Sequence, residues 1–289
     1  MTLDRLEDLL SAPGRGPLRG PIAVILAEDD VEVESTVSHH LHLGFRTVFL
    51  LCAGGVDVPE ACTADPRVEL AAFDIFKRGA REAAVNAVIE AAPGQWIFYC
   101  FNAEYLLFPF CESRTVGEML AFHAEERRDA MLTYVVDLYA GDLARYPDAV
   151  ALDDAYLDRS GYYALGRQRP DGTFHERQLD FFGGLRWRFE EHVAPERRRI
   201  DRISLFRARP GLKLGPDHRL NDEEFNTYAC PWHHNLTAAI CSFRTAKALK
   251  RNPGSSFDIT TFRWHNSAAF EWHSAQLLDL GLMEPGQWF

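Results

Sequence analysis

The chain has 289 residues, of which 47% are apolar, and it carries a formal net charge of −11 at pH 7. This length suits one large α/β domain or two small ones, and the apolar content supports a sizeable core. The negative charge argues against a broad nucleic-acid interface, and no apolar run is long enough to span a membrane. We therefore expect neither a nucleic-acid partner nor a membrane span.

The N-terminal residues and the cysteines bear on the compartment. Residues 1–16 lack the basic and then apolar plan of a signal peptide, which predicts a cytoplasmic protein. The six cysteines are scattered, without a Cys-x-x-Cys pair, and most stand in apolar surroundings. We interpret them as reduced, packed thiols and not as a zinc site.

The first hundred residues alternate between strand and helix patterns. Apolar runs predict strands at 22–27, 47–51, 68–73 and 96–101, and helical spacing predicts helices from 33 to Gly44 and over 79–92. Such an alternation predicts a mostly parallel central sheet, flanked by helices and joined by right-handed crossovers.

The remaining chain is less regular. Its patterns predict a helix at 115–124, strands at 131–138 and 203–207, and helices at 236–249 and 267–280. Residues 139–199 are rich in Gly, Pro, Asp and Arg and have weak periodicity, which predicts long irregular loops. The fold class is therefore α/β, with a loop-rich C-terminal half.

Polar residues follow the fourth predicted strand directly. After the apolar run 96–101 come Asn102 and Glu104, before the apolar character resumes at Leu106. The carboxyl end of a central strand in an α/β sheet is where ligands usually bind. Asn102 and Glu104 therefore either hold a ligand or cap a turn.

Five short segments occur in an order that resembles a known family. They read SHHLHLGF at 38–45, WIFYCFNAEYLLF at 96–108, VDLY at 136–139, GPDH at 215–218 and WHH at 232–234. In this order they resemble the family-two-like bacterial glycosyltransferases, which have the nucleotide-diphospho-sugar (GT-A) fold. The resemblance spans about residues 20–250. It implies an N-terminal extension over 1–19, a single GT-A-like domain over 20–265 and a C-terminal helix over 266–289.

The resemblance also implies roles for particular residues. It suggests Glu28, Asp29, Cys52, Asn102 and His218 for binding the donor, Glu104, Asn102 and His234 for holding Mn²⁺ or Mg²⁺, and Asp137 with Glu104 for catalysis. Cleavage of a sugar–phosphate bond leaves a nucleoside diphosphate, whose negative charge a cation held by carboxylates stabilises. The acceptor hydroxyl must lose its proton to a base, and Asp137, at a predicted strand end, is the candidate.

The chain departs from the family pattern at several of these positions. Asn102 stands where the family has the first carboxylate of its Asp-x-Asp motif, and Cys52 replaces an acidic residue. Glu28-Asp29 replaces an Asn-Glu pair after the first strand. The metal-binding motif is therefore degenerate, with one anionic ligand in place of two.

Three functions remain open. The first is a glycosyltransferase with a modified metal site, which moves a sugar from a nucleotide-diphosphate donor to a saccharide or another hydroxyl acceptor. The second is a catalytically degenerate protein that keeps the fold as a carbohydrate- or protein-binding module. The third, a metal-independent enzyme that uses its His-rich loops, has the least support, because no nucleophile elbow, His-Glu-x-x-His motif or phosphate-binding loop occurs. A homo-oligomer is compatible with each.

Overall fold

The computed structural model of the protein describes residues 5–230 and 233–288. The chain is an α/β protein, with mixed and mostly parallel sheet structure flanked by helices. In chain order its elements are α1 (Leu6–Leu10), β1 (Ile22–Ala27), α2 (Val33–His42), β2 (Thr47–Cys52), α3 (Glu60–Ala64), β3 (Val68–Ala72), α4 (Ala80–Ala91), β4 (Trp96–Phe101), β5 (Glu104–Leu107), α5 (Val116–Glu125), β6 (Ala130–Ala140), β7 (Ala155–Asp158), β8 (Tyr163–Gln168), β9 (Phe174–Phe182), α6 (Leu185–Arg188), β10 (Asp201–Arg207), β11 (Ala238–Ser242), α7 (Arg244–Arg251), α8 (Pro253–Ser256), β12 (Ser267–Ala269) and α9 (Ser274–Asp279).

The chain divides into two compact units. The first comprises the described part of Met1–Tyr105, together with Ser113–Met131 and Ile203–Asn226. The second comprises Leu106–Glu112, Leu132–Arg202 and the described part of Thr227–Phe289.

The first unit contains the predicted parallel strands. β1 lies between β2 and β4 and is parallel to both, and β3 is parallel to β2 on its other side. The part of β10 that belongs to this unit runs antiparallel to β4, with Leu205 opposite Phe98. Every residue of β1 and β2 is buried, which explains why these strands read as continuous apolar runs without alternation.

Helix α5 of this unit begins where the sequence predicts it. Thr115 accepts a hydrogen bond from the backbone N–H of Glu118, and the Glu118 carboxylate accepts one from the backbone N–H of Thr115 at 2.8 Å. This capping box satisfies two backbone donors that the first turn of a helix leaves without a partner.

The second unit has strands on both sides of β6. β11 is parallel to β6, with Ser242 opposite Asp137, and β7 is antiparallel to it, with Leu157 opposite Leu138. β12 pairs with β7, and β8 and β9 form a separate antiparallel hairpin.

Three sequence-based predictions for this unit are wrong. Residues 236–249 are not one helix, because the apolar run at Ala238–Ser242 pairs as a buried strand with β6 before α7 begins. Residues 267–280 likewise form a short strand and then α9. The stretch 139–199, predicted as irregular, contains β7 and the β8–β9 hairpin, whose weak pattern follows from the exposure of β8.

None of the described helices is long and apolar enough to cross a membrane. The six cysteines are free thiols, as predicted, and Cys52, Cys62, Cys100 and Cys241 are buried.

Candidate functional site

Asn102, at the end of β4, uses its whole side chain to join two strand ends of the first unit. Its Oδ1 accepts a hydrogen bond from the backbone N–H of Glu28 at 2.9 Å. Its Nδ2 donates to Asp29 Oδ1 at 2.7 Å and to the carbonyl of Val31 at 2.8 Å. The side chain is fully buried. Asn102 therefore fixes the loop after β1 against the end of β4.

Glu104 closes the turn between β4 and β5. Its Oε2 accepts a hydrogen bond from the backbone N–H of Phe101 at 2.9 Å, and its side chain is fully buried. Ala103, between Asn102 and Glu104, has a φ of +58° and donates its N–H to Thr36 Oγ1 at 2.9 Å. Burial lowers the pKa of His40 to about 3, and the nearby Glu104 opposes that shift.

These surroundings do not fit a divalent cation. A hard cation takes oxygen ligands that are open to it, whereas Asn102 and Glu104 are sealed and engaged by backbone groups. Within residues 5–230 and 233–288, no three His, Cys, Asp or Glu side chains are grouped so that they could hold a metal ion. Asn102 and Glu104 therefore do not fit the Mn²⁺ or Mg²⁺ that the resemblance implies.

The predicted donor-binding residues of the first unit fall into two groups. Glu28 and Asp29 lie at the end of β1, are partly exposed and are brought together with Asn102. Cys52, at the end of β2, is buried, and burial raises the pKa of its thiol to about 12. Cys52 is therefore a neutral packing residue, whereas the end of β1 offers carboxylates to solvent.

His218 lies beside the middle of β4. Its ring stacks on Tyr99 at 6.0 Å between centroids, and its Nδ1 is 2.9 Å from the Tyr99 hydroxyl. Its Nε2 meets the guanidinium of Arg81. These contacts hold the loop that contains His218 against the sheet.

Asp137, the predicted base, is fully buried on β6 in the second unit. Arg186 Nε lies 3.7 Å from its Oδ1, and the Thr245 side chain and the Arg186 backbone also lie beside the carboxylate. Gly184 packs so closely that a Cβ there would lie 2.9 Å from Oδ2. Burial raises the pKa of Asp137, and the charge of Arg186 opposes that shift.

Asp158, for which the sequence predicts no role, is a second buried carboxylate of this unit and accepts several hydrogen bonds. Its Oδ1 accepts hydrogen bonds from Tyr139 Oη at 2.6 Å, Trp264 Nε1 at 2.7 Å and Arg188 Nη1 at 3.0 Å. The guanidinium of Arg188 also lies over the Trp264 ring, 4.6 Å from its centroid. This network joins β6, β7 and the segment before β12.

The second unit contains a cavity of about 290 Å³. Its lining is Tyr134, Val136, Tyr162, Tyr163, Ala164, Leu179, Phe181, Ile200, Tyr228, His234, Asn235, Thr237, Gly281, Leu282 and Glu284. The volume is at the lower end of the range for small-molecule sites. Most of the wall is apolar or aromatic, with a few polar groups among these side chains, which is the composition typical of such sites.

Two polar atoms of this lining are buried without a partner. The hydroxyl of Tyr162 and Oδ1 of Asn235 form no hydrogen bond with any residue that the structure describes. An unpaired buried polar atom costs about 1–3 kcal/mol, so a partner for either atom would stabilise the structure. His234, predicted as a metal ligand, also lines the cavity and contacts the Tyr228 ring edge to face.

No sequence pattern predicts this cavity. Its lining comes from β6, β8, β9 and loops near residues 230 and 282, which are far apart in the chain. Tyr162 and Tyr163 lie in the stretch predicted as irregular, and no spacing pattern connects them with Asn235. The one available signal was the clustering of tyrosines in weakly periodic segments.

Asp201, near the cavity, makes stability depend on pH. Burial raises its pKa from 3.8 to about 6, while its Oδ1 accepts a hydrogen bond from the Phe181 N–H at 2.8 Å. Between these two values the native state binds more protons than the unfolded chain, so stability falls as the pH rises through this window. Each pKa unit corresponds to about 1.4 kcal/mol, which gives about 3 kcal/mol in total.

The substitution Asp201→Asn keeps the acceptor for Phe181 and removes the titration. We expect the variant to be more stable than the wild type at pH 7 and to lose the advantage near pH 4. Urea unfolding across this pH range measures the difference, with the exposed Asp279→Asn as the control. A constant difference between Asp201→Asn and wild type at all pH values would contradict the raised pKa.

No family model and no curated protein matches this chain.

Proposed function

We propose that the protein is a glycosyltransferase whose saccharide acceptor binds in the aromatic cavity of the second unit. The observation that carries the proposal is the cavity itself, in which aromatic rings surround two unpaired polar atoms. Sugar rings stack their apolar C–H faces on aromatic side chains while their hydroxyl groups take hydrogen bonds, and this cavity offers both kinds of contact. Its volume suits a single sugar ring.

The transfer step rests on the resemblance in sequence, in which Glu28 and Asp29 occupy donor-binding positions. In that step the acceptor oxygen forms a bond to the anomeric carbon of the donor sugar. The sugar–phosphate bond breaks, the nucleoside diphosphate leaves with the bonding electrons, and the hydroxyl proton passes to a base. Glu28 and Asp29 remain the proposed donor-binding residues, and the GT-A fold remains part of this proposal.

Asp137 remains the proposed base. Burial raises its pKa, which makes the carboxylate a stronger proton acceptor, and its charge, with burial and the charge of Asp158, raises the pKa of the Tyr162 hydroxyl in the cavity wall. The charge of Asp137 thus acts at the cavity wall, while the Asp137 side chain itself is buried.

The second candidate is a saccharide-binding protein without transferase activity. The observation in its favour is the engagement of Asn102 and Glu104 by backbone groups, which leaves neither open to a cation or a diphosphate. Both candidates use the same cavity and differ in whether a nucleotide donor binds and reacts.

A two-step experiment tests the proposal. The wild-type protein is first screened on a glycan array, and its strongest saccharide is then incubated with UDP- and GDP-sugars, with EDTA or with Mn²⁺. Mass spectrometry detects a product heavier by one sugar. We expect saccharide binding, and transfer that persists in EDTA.

The outcomes separate the candidates. Saccharide binding without transfer from any donor would support the binding protein, and transfer that EDTA abolishes would contradict the proposed cation-free step. Failure to bind any saccharide would contradict both candidates.

A further inference from the structure

We propose that the saccharide bound in this cavity is an amino sugar, whose ammonium group pairs with Glu284. This inference rests on the proposed function and adds the substrate class to it. Three features of the described cavity carry it: the sign of its charge, its aromatic wall and a buried acceptor without a partner on one of its lining residues.

The charge of the cavity is negative. Glu284 lines it, and its carboxylate forms no ion pair with the residues that the structure describes. No Lys or Arg occurs among the described lining residues, and His234 is the one basic side chain there. A sugar with a carboxylate or phosphate group would meet repulsion at Glu284, whereas an ammonium group would gain a charged partner.

Glu284 is held in place by its backbone. Its N–H donates to Thr237 Oγ1 at 2.8 Å, and its carbonyl accepts from the Thr237 N–H at 3.0 Å. Both residues line the cavity, so these bonds fix the backbone from which the Glu284 side chain extends. A fixed backbone loses less freedom when a ligand binds.

The aromatic wall adds to the attraction for a cation. Tyr134 packs edge to face on Phe181, with ring centroids 4.8 Å apart. Burial raises the pKa of the Tyr134 hydroxyl, and the charges of Glu284 and Asp201 raise it further. Tyr134 thus lies in a negative field, and the faces of such rings attract ammonium groups.

Asn235 supplies an independent acceptor. The residue is 7% exposed, lines the cavity, and its Oδ1 has no hydrogen-bond partner among the described residues. An amide oxygen accepts only, so its natural partner is a hydroxyl or ammonium donor. Glu284 and Asn235 together present acceptors to a ligand that is rich in donors.

The test compares sugars that differ only at the amino group. Glucose, glucosamine and N-acetylglucosamine, and the matching galactose series, are titrated calorimetrically into the full-length protein at one pH that keeps the amine protonated. A single pH keeps the charge of His234 the same in every titration. We expect the amino sugar to bind about tenfold more tightly than the neutral sugar of the same series, as one ion pair supported by an aromatic face gives.

The variant Glu284→Gln keeps the side-chain shape and removes the charge. We expect it to bind the amino and the neutral sugar equally, while Glu271→Gln, at an exposed position outside the cavity, keeps the preference. Equal binding of both sugars by the wild type would overturn the inference and leave the proposed function intact. Absence of binding by any sugar would instead contradict the proposed function.

Discussion

Asn102→Asp will lower the free energy of unfolding by about 3–5 kcal/mol, because it places a buried carboxylate beside the Asp29 carboxylate and the Val31 carbonyl. In the wild type, Asn102 Nδ2 lies 2.7 Å from Asp29 Oδ1 and 2.8 Å from the Val31 carbonyl. An aspartate oxygen in that position would face two acceptors and offer them no proton. Urea unfolding at pH 7 measures the loss.

The control for this prediction is Asn221→Asp. Asn221 is exposed in the same unit; aspartate retains the acceptor for the Lys213 N–H at 2.9 Å and loses only the exposed bond from Nδ2 to the Gly211 carbonyl at 3.0 Å. We expect this variant to stay within about 0.5 kcal/mol of the wild type. A loss of stability in Asn102→Asp no larger than in Asn221→Asp would contradict the structural role of Asn102. Recovery of stability with millimolar Mn²⁺ would contradict it as well.

Asp158→Ala will be comparably destabilising, by about 3–5 kcal/mol, because it leaves a buried guanidinium without its counter-charge. Asp158 is 1% exposed and forms hydrogen bonds with Tyr139, Arg188 and Trp264. Each of these donors loses a buried acceptor in the variant. Chemical unfolding gives the magnitude.

Asp153→Ala is the matched control in the same unit. Asp153 is exposed, and its two carboxylate oxygens accept from the Tyr146 hydroxyl at 3.2 and 3.5 Å. Exposed contacts of this kind contribute little, so we expect a change within about 0.5 kcal/mol. Similar losses for the two aspartate variants would show that the Asp158 network does not stabilise the fold.

The fold of the first unit was largely predictable from sequence. Strands such as β1 and β4 are bulky apolar runs bounded by Pro, Gly or charged residues, and both faces of the sheet are covered. In the second unit the prediction of a helix at 236–249 failed, because a short Ala-rich run suits a strand or a helix and only the pairing with β6 decides between them.

The candidate site was less predictable. The sequence places two polar residues, Asn102 and Glu104, directly after β4, but it does not show where their side chains point. The partners of Asn102 are mainly backbone groups near residue 30, which no motif reveals. The cavity depends on residues as distant as Tyr134 and Glu284, whose proximity only the folded chain creates.

The central claim is that a saccharide binds in the cavity of the second unit, and Tyr162→Phe tests it most directly. The best saccharide from the array is titrated calorimetrically into the wild type, Tyr162→Phe and the control Tyr146→Phe, whose hydroxyl lies outside the cavity. Because the Tyr162 hydroxyl has no partner among the described residues, its removal costs no stability. We predict that Tyr162→Phe melts no lower than the wild type and binds the saccharide about tenfold more weakly, as loss of one buried hydrogen bond to a ligand gives. Binding by Tyr162→Phe that equals the wild type would contradict the claim.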